Sequence, residues 1–358
     1  MERRELYIAA SELGFTSEEI LKLSKIFHLF QDSKELFQIQ GESLLSGRKS
    51  KDRLYGNWEE ALEKVYHITE KLNIGILTYE DSEFPEELKD IENPPAIIYY
   101  RGDFLKTLSY KRMGIVGSRK HTHYGENICR GISKDLSDLK IVSVSGMALG
   151  LDGIAHKEAI NHDFLTIAVL GCGVDVIYPK SHSKLYLDII KQGAVISEYP
   201  LGTKPMNYFF PERNRIIAGL SQGLVVIEAR ERSGSLITAR LAAEQGKEVF
   251  AVPGNINSLY SKGTNALIRD GAHPYLSRED IITFLDIKDV VKTEKIRDLS
   301  HEEEKIYSYI QNGINTANLL CIETGESITF INSILTILEM KGFIQLEGAD
   351  RFTITSML

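Results

Sequence analysis

At 358 residues the chain is long enough for two or three domains of the usual ~100–200 residues each. Its 43% hydrophobic and 26% charged residues, with 28 Gly and 9 Pro, exclude disordered, collagen-like and disulfide-scaffold classes. A net charge of −8 argues against a nucleic-acid partner unless positive charge is concentrated locally, so charge has to be counted segment by segment.

The start, from Met1 to Glu5, lacks the apolar core of a signal peptide, and no run approaches the ~18 apolar residues of a membrane span. A cytoplasmic location without a membrane partner is the expectation. Cys129, Cys172 and Cys321 are far apart and form no C-x-x-C pair, which reads as packing rather than as a zinc site or a disulfide framework.

Apolar residues recur at helical spacing over 5–40, among them Leu6, Ile8, Leu13, Ile20, Leu23, Phe27 and Phe30, with a break at Gly14 and an N-cap candidate at Ser17. A small helical domain over 1–75 follows from that pattern. Pro85, Pro94 and Pro95 then punctuate an extended approach to the apolar run 96–100. Over 112–284 short apolar runs (113–116, 141–144, 166–170, 194–196, 224–227, 249–252 and a weaker 274–276) alternate with helical periods at 126–139, 154–161, 184–192, 213–220 and 236–245. Nearly continuous apolar strands need cover on both faces, so a core over 76–290 is predicted to be α/β, a doubly wound parallel sheet. The last segment, 295–358, offers helices at 302–311, 316–324 and 327–341 and then a hairpin, 343–346 with 352–355, turning at Gly348. That is the order of a winged-helix module.

In such a sheet a ligand binds off the carboxyl ends of the strands. Four ends carry glycine and polar residues there: Gly117, Ser118, Arg119 and Lys120; Ser145, Gly146 and Gly150; Gly171 and Gly173; and Arg230, Arg232, Ser233, Gly234 and Ser235. Glycine lets backbone approach a ligand closely, and the free N–H groups of a following helix hold phosphate. Neither G-x-x-x-x-G-K-[ST] nor G-x-G-x-x-G occurs, which excludes a Walker nucleotide site and a dinucleotide fingerprint. Charge decides between a small ligand and an anionic polymer. Residues 101–130 hold seven bases against Asp103 and Glu126, a net +5, and 204–240 hold six against Glu212, Glu228 and Glu231, a net +3. Both stretches feed the predicted rim, focusing positive potential on one groove suited to a phosphate backbone.

Tyr208, Phe209, Phe210 and Pro211 directly precede Arg213, Asn214 and Arg215, and rings beside guanidinium groups suit unpaired bases. The plainer reading is that the two Phe anchor a helix on the sheet. His121 with His123, and Asp152 with His156, have metal-ligand spacing but lack companions nearby, so capping and packing are the default and no metal is expected. Ser145 lacks the G-x-S-x-G setting of a hydrolase nucleophile.

The strings GIVGSR (114–119), SGMALGLD (145–152), TIAVLGCGVD (166–175) with YP (178–179), SEYP (197–200), FPERNRIIA (210–218), SGSLITA (233–239) and FAVPG (250–254) stand in one order. The sequence resembles the DNA processing protein A (DprA/Smf) family. The resemblance implies an extended Rossmann-like core behind a SAM or helix-hairpin-helix-like N-terminal domain. It also implies a non-catalytic homodimer without cofactors that binds single-stranded DNA and loads the recombinase RecA in natural transformation. By that resemblance Gly117, Ser118, Arg119, Phe210, Arg213, Asn214 and Arg215 fall in the DNA site, and Lys180 and Lys204 line the groove. Leu149 stands where the family often has arginine. The physical reading adds Lys120 for phosphate, Ser145, Ser233 and Ser235 as hydroxyl donors, Gly146 and Gly234 for close approach, and a base stacked on Phe210. The alternative is a nucleotide-processing enzyme of the same superfamily that cleaves N-glycosidic bonds, with Glu198 or Glu228 as acid or base. Its P-G-G-x-G-T loop is missing, since Pro253 and Gly254 run on to Asn255.

Overall fold

The computed structural model describes residues 2–30, 33–287, 299–347 and 350–354. By internal contacts the chain divides into two compact units, Met1–Ile281 and Ile282–Leu358, the N-terminal helices lying in the same unit as the sheet. Among the described residues no helix is long and apolar enough to cross a membrane.

The first unit opens with α1 (Arg3–Glu12), α2 (Ser17–Phe30), α3 (Lys34–Leu44), α4 (Arg48–Arg53) and α5 (Trp58–Leu72). Asn57 caps α5 by accepting from the Glu60 N–H, and Asn73 ends it in the left-handed region. These helices enclose Leu6, Phe15, Leu23, Phe37 and Trp58 as a core of their own. Ile8 of α1 and Val65 of α5 instead join Tyr99, Tyr186 and Val195 at the sheet, and Tyr99 Oη lies 3.1 Å from Ser11 Oγ. That shared apolar contact, worth ~1.5–3 kcal/mol per fully buried aliphatic side chain, is why helices and sheet form one body.

The sheet follows: β1 (Gly75–Thr78), β2 (Ile97–Gly102), α6 (Phe104–Leu108), β3 (Arg112–Val116), α7 (His123–Asp138), β4 (Val142–Ser145), α8 (Leu151–Asn161), β5 (Thr166–Val169), α9 (Ser183–Gln192), β6 (Ala194–Ser197), α10 (Phe209–Leu220), β7 (Gly223–Val226), α11 (Gly234–Glu244), β8 (Glu248–Ala251), α12 (Lys262–Arg269), β9 (His273–Pro274) and α13 (Arg278–Phe284). Among the described residues the nine strands lie in the order β1-β2-β6-β5-β4-β3-β7-β8-β9. From β6 to β9 all neighbours are parallel, whereas β2 runs antiparallel to β6 and to β1, so the sheet is mostly rather than wholly parallel. Strands β4 to β7 are buried throughout, as their continuous apolar runs require. Val144, Val169 and Val226 pack into one cluster with Ile217 of α10. Ala168, one residue from Val169, packs on the opposite face with Ile189 of α9.

The helices of the core begin earlier than their apolar periods suggest, α7 and α10 for reasons visible at their first turns. Helix α7 starts at His123 because Thr122 accepts from the Gly125 N–H as an N-cap. Helix α10 starts at Phe209 because Pro211 sits in its first turn, where a missing N–H costs nothing.

The second unit carries α14 (His301–Gln311), α15 (Ala317–Thr324), α16 (Ile328–Met340), β10 (Ile344–Glu347) and β11 (Arg351–Ile354). Ser300 and Glu303 form a reciprocal capping box at α14, and β10 pairs antiparallel with β11. Ile306, Leu320, Ile331, Leu335 and Ile344 form its core. The turn at Gly348, the end of the hairpin at Thr355 and the boundary region 288–298 lie outside the described residues.

Candidate nucleic-acid interface

Strand β3 sits between β4 and β7. From β3 the chain winds outward through β4, β5 and β6, then returns along α10 to β7 on the other side. The loops leaving β3 and β7 therefore part company, and a crevice opens off their carboxyl ends. A cleft of about 500 Å³ occupies that position. Of the residues predicted from sequence, the cleft is lined by Gly117, Ser118, Arg119 and Lys120 after β3; by Phe210, Arg213 and Asn214 on α10; and by Ser233, Gly234 and Ser235 at the start of α11. Gly146 borders a smaller adjoining cavity. Arg230 and Arg232, named at the fourth strand end and in the charge count but given no role, also line the cleft. Their signal was position alone: they follow the predicted strand that became β7.

Arg119 and Lys120 are exposed, while Ser118 is buried and donates from Oγ to the Lys120 carbonyl, shaping the loop. Ser233 caps α11 by accepting from the Ser235 N–H, leaving the first turn of that helix facing the cleft. Free backbone N–H groups, two serine hydroxyls and Arg119, Lys120, Arg230 and Arg232 thus converge on one volume, an arrangement built for anionic oxygen. The Arg119 guanidinium lies 5.6 Å from the centre of the Phe210 ring, and that of Arg230 lies 4.5 Å from the Tyr260 ring, whose Oη accepts from it at 2.7 Å.

Four predicted residues are elsewhere. Ser145 is fully buried and donates to the Ile115 carbonyl at 2.6 Å, holding β4 to β3. Lys180 and Lys204 are exposed but line neither cavity. Arg215 points away from the cleft. It clamps Glu198 at 2.5 and 2.7 Å and donates to the Asn93 carbonyl at 2.8 Å, while Ser17 of α2 donates to the same Glu198 at 3.3 Å.

Arg213 also departs from its expected part as a donor to DNA. Only 5% exposed, it donates to the Gly146 and Val169 carbonyls, tying together the ends of β4 and β5. Burial pulls its pKa down while the nearby Asp152 carboxylate supports its charge. Asp152 is pushed up from the usual carboxylate range by burial, against the opposing pull of Arg213 and the backbone N–H groups of Ala148, Gly146 and Gly117. Charge inside the rim thus organises its backbone, and the charge outside it lines the cleft.

The two Phe divide in the same way. Phe209 packs its ring 4.2 Å from that of Tyr199 and anchors α10, as the plainer reading held. Phe210 reaches the cleft. His156 Nδ1 meets Thr166 Oγ1 at 2.7 Å deep in the core, and among the described residues no three His, Cys, Asp or Glu side chains gather to hold a metal. Glu228 is 2% exposed and accepts from both the N–H and Oγ1 of Thr122, so it braces the start of α7.

A model of the family described as DNA recombination-mediator protein A matches residues 75–286. The chain is 39% identical over 233 residues to the DNA processing protein DprA of Bacillus subtilis, covering 65% of this chain and 78% of that one. It is 44% identical over 204 residues to the protein Smf of Escherichia coli, covering 56% and 54%. The X-ray structure of DNA processing protein A from Streptococcus pneumoniae superposes with a TM-score of 0.67 at 32% identity, over 79% of this chain and 98% of that one. That from Helicobacter pylori, a structure concerned with its single-stranded DNA binding mode, superposes with a TM-score of 0.54 at 32% identity, over 59% and 95%. Because the family model matches more than half of the chain, this chain belongs to the DNA recombination-mediator protein A family, the DprA/Smf proteins.

Proposed function

We propose that the chain binds single-stranded DNA in the cleft between β3 and β7 without catalysing a reaction on it. The observation that carries this reading is the convergence of Arg119, Lys120, Arg230 and Arg232 on the capped start of α11, beside an aromatic ring, in a protein that is acidic overall. Phosphate contacts supply affinity and rings supply sequence-tolerant stacking. The relative from Helicobacter pylori, described for binding single-stranded DNA, supports the same ligand. The carboxylates that a glycosidic-bond enzyme would use are already engaged: Glu198 by Arg215 and Ser17, Glu228 by Thr122.

A labelled oligonucleotide, single- or double-stranded, titrated at two salt concentrations tests this reading. Binding should favour the single strand and weaken steeply with salt. Equal binding to duplex, or salt-independent affinity, would overturn it.

The proposal extends to a homodimer that delivers the bound strand to RecA in the cytoplasm. Leu267 and Ile268 of α12 are half-buried and Leu276 after β9 is 70% exposed, an apolar strip of the kind a second copy covers. Sedimentation equilibrium at micromolar concentration should give a dimer. Faster RecA assembly on a long single strand in the presence of the protein is the corresponding test of delivery.

A further inference from the structure

Beyond the main cleft, Phe210 borders a second, smaller cavity that shares Arg119, Ala148 and Arg213 with it. On that side the Phe210 ring is already held. Tyr178 stacks on it with centroids 5.5 Å apart and planes 24° from parallel. Gly171 passes beneath its edge, where a Cβ would come within 2.8 Å of Cδ1. The cavity's outer wall is Tyr178, 40% exposed, facing a rim that includes Leu149, 48% exposed and uncharged. Its volume is only about 40 Å³, a few times the ~10–15 Å³ that a single water needs. It cannot swallow a base, but a base can lie across its mouth on an open aromatic face.

We propose that Tyr178 is a second stacking platform, which holds the unpaired nucleobase next to the one in the main cleft while Arg119, common to both cavities, takes the phosphate between them. This rests on the single-strand reading above. Stacked Phe210 and Tyr178 form a step of two rings, and a strand tracking the rim meets Tyr178 as the exposed member. The chemistry selects single strands, because a base inside a duplex has no free face to offer. It is also independent of sequence, since every base has one.

Anisotropy of a labelled oligothymidylate with the full chain, the Tyr178→Ala and Tyr178→Phe variants, and a Tyr178→Trp reporter tests the proposal. Tyr178→Ala should weaken binding about five- to 150-fold, the range for losing one base-aromatic stack. The slope of affinity against salt should not change, because no phosphate contact is lost. Tyr178→Phe should stay within about twofold. The emission of Tyr178→Trp should be quenched on saturation, over a constant background from Trp58, the chain's single tryptophan, which is 7% exposed among the N-terminal helices.

If the parent protein does not bind the oligonucleotide, the single-strand reading itself falls. If the parent binds and Tyr178→Ala binds within twofold of it, or the tryptophan at 178 is not quenched at saturation, the Tyr178 platform alone is overturned. Should Tyr178→Ala fail to fold, the quenching of Tyr178→Trp still decides.

Discussion

The guanidinium of Arg213 lies against Gly146, donating to its carbonyl oxygen at 2.9 Å across 67 residues of sequence and leaving no room for a side chain there, since a Cβ on residue 146 would overlap Nη2. The pair sets the shape of the rim before any ligand arrives. Removing Arg213 leaves Asp152 buried beside two unpaired carbonyls. Arg213→Ala should therefore lower stability by on the order of 3–5 kcal/mol, read as a shift of the urea midpoint. Gly146→Ala should move it in the same direction. A midpoint unchanged by Arg213→Ala would return this arginine to the ligand.

Arg119 stands in contrast, exposed and following β3 by three residues. Arg119→Ala should leave thermal melting unchanged while weakening single-strand binding about tenfold or more, the equivalent of one charge-assisted hydrogen bond of ~1.5–3 kcal/mol. The salt slope should fall by about one, as for a lost phosphate contact. Normal affinity with a lowered melting temperature would make Arg119 structural.

Asp135 on α7 is 3% exposed, and burial raises its carboxyl from 3.8 to about 6 despite Arg278 at 3.9 Å. Lys134 also favours its charge, and Asp138 and Glu279 oppose it. Between these two pKa values the folded chain holds a proton that the unfolded chain has released, so the contribution to stability is full at low pH and is lost as pH rises through about 6. Asp135→Asn should accordingly melt above the parent at pH 8, with the gain fading toward pH 4. A gain that grows on acidification would contradict the sign.

Residues 300–358 carry eight acids against three bases, a net −5. Lys341, at the end of α16, donates to both Glu303 carboxylate oxygens at 2.8 and 3.0 Å, and the exposed positions of the helix are Ile328, Thr329, Asn332, Ser333, Thr336, Ile337, Glu339 and Met340. A segment of net −5 whose helix exposes no base repels phosphate rather than binding it. Deleting 295–358 should leave single-strand affinity within about threefold, a change below ~0.7 kcal/mol. A tenfold loss in the same titration would assign this unit to the DNA.

What the sequence by itself determined was local. Runs such as 166–170 and 224–227 announce strands because a strand covered on both faces must be apolar throughout, and β5 and β7 lie there. Glycine and serine after those runs announce the rim because close backbone approach and helix capping are also local demands, and Gly117, Ser233 and Gly234 line the cleft. Charge counting found the basic groove but could not sort its arginines. Arg213 and Arg215 stand two residues apart in one motif with Arg119 as their apparent companion. Closure of the sheet brings Asp152 and Gly146 to the first and Glu198 to the second, while among the described residues Arg119 enters no ion pair. Whether a guanidinium organises backbone or meets a ligand depends on which distant groups the topology carries to it, because burial and pairing are properties of the assembled core and not of neighbouring residues in the chain.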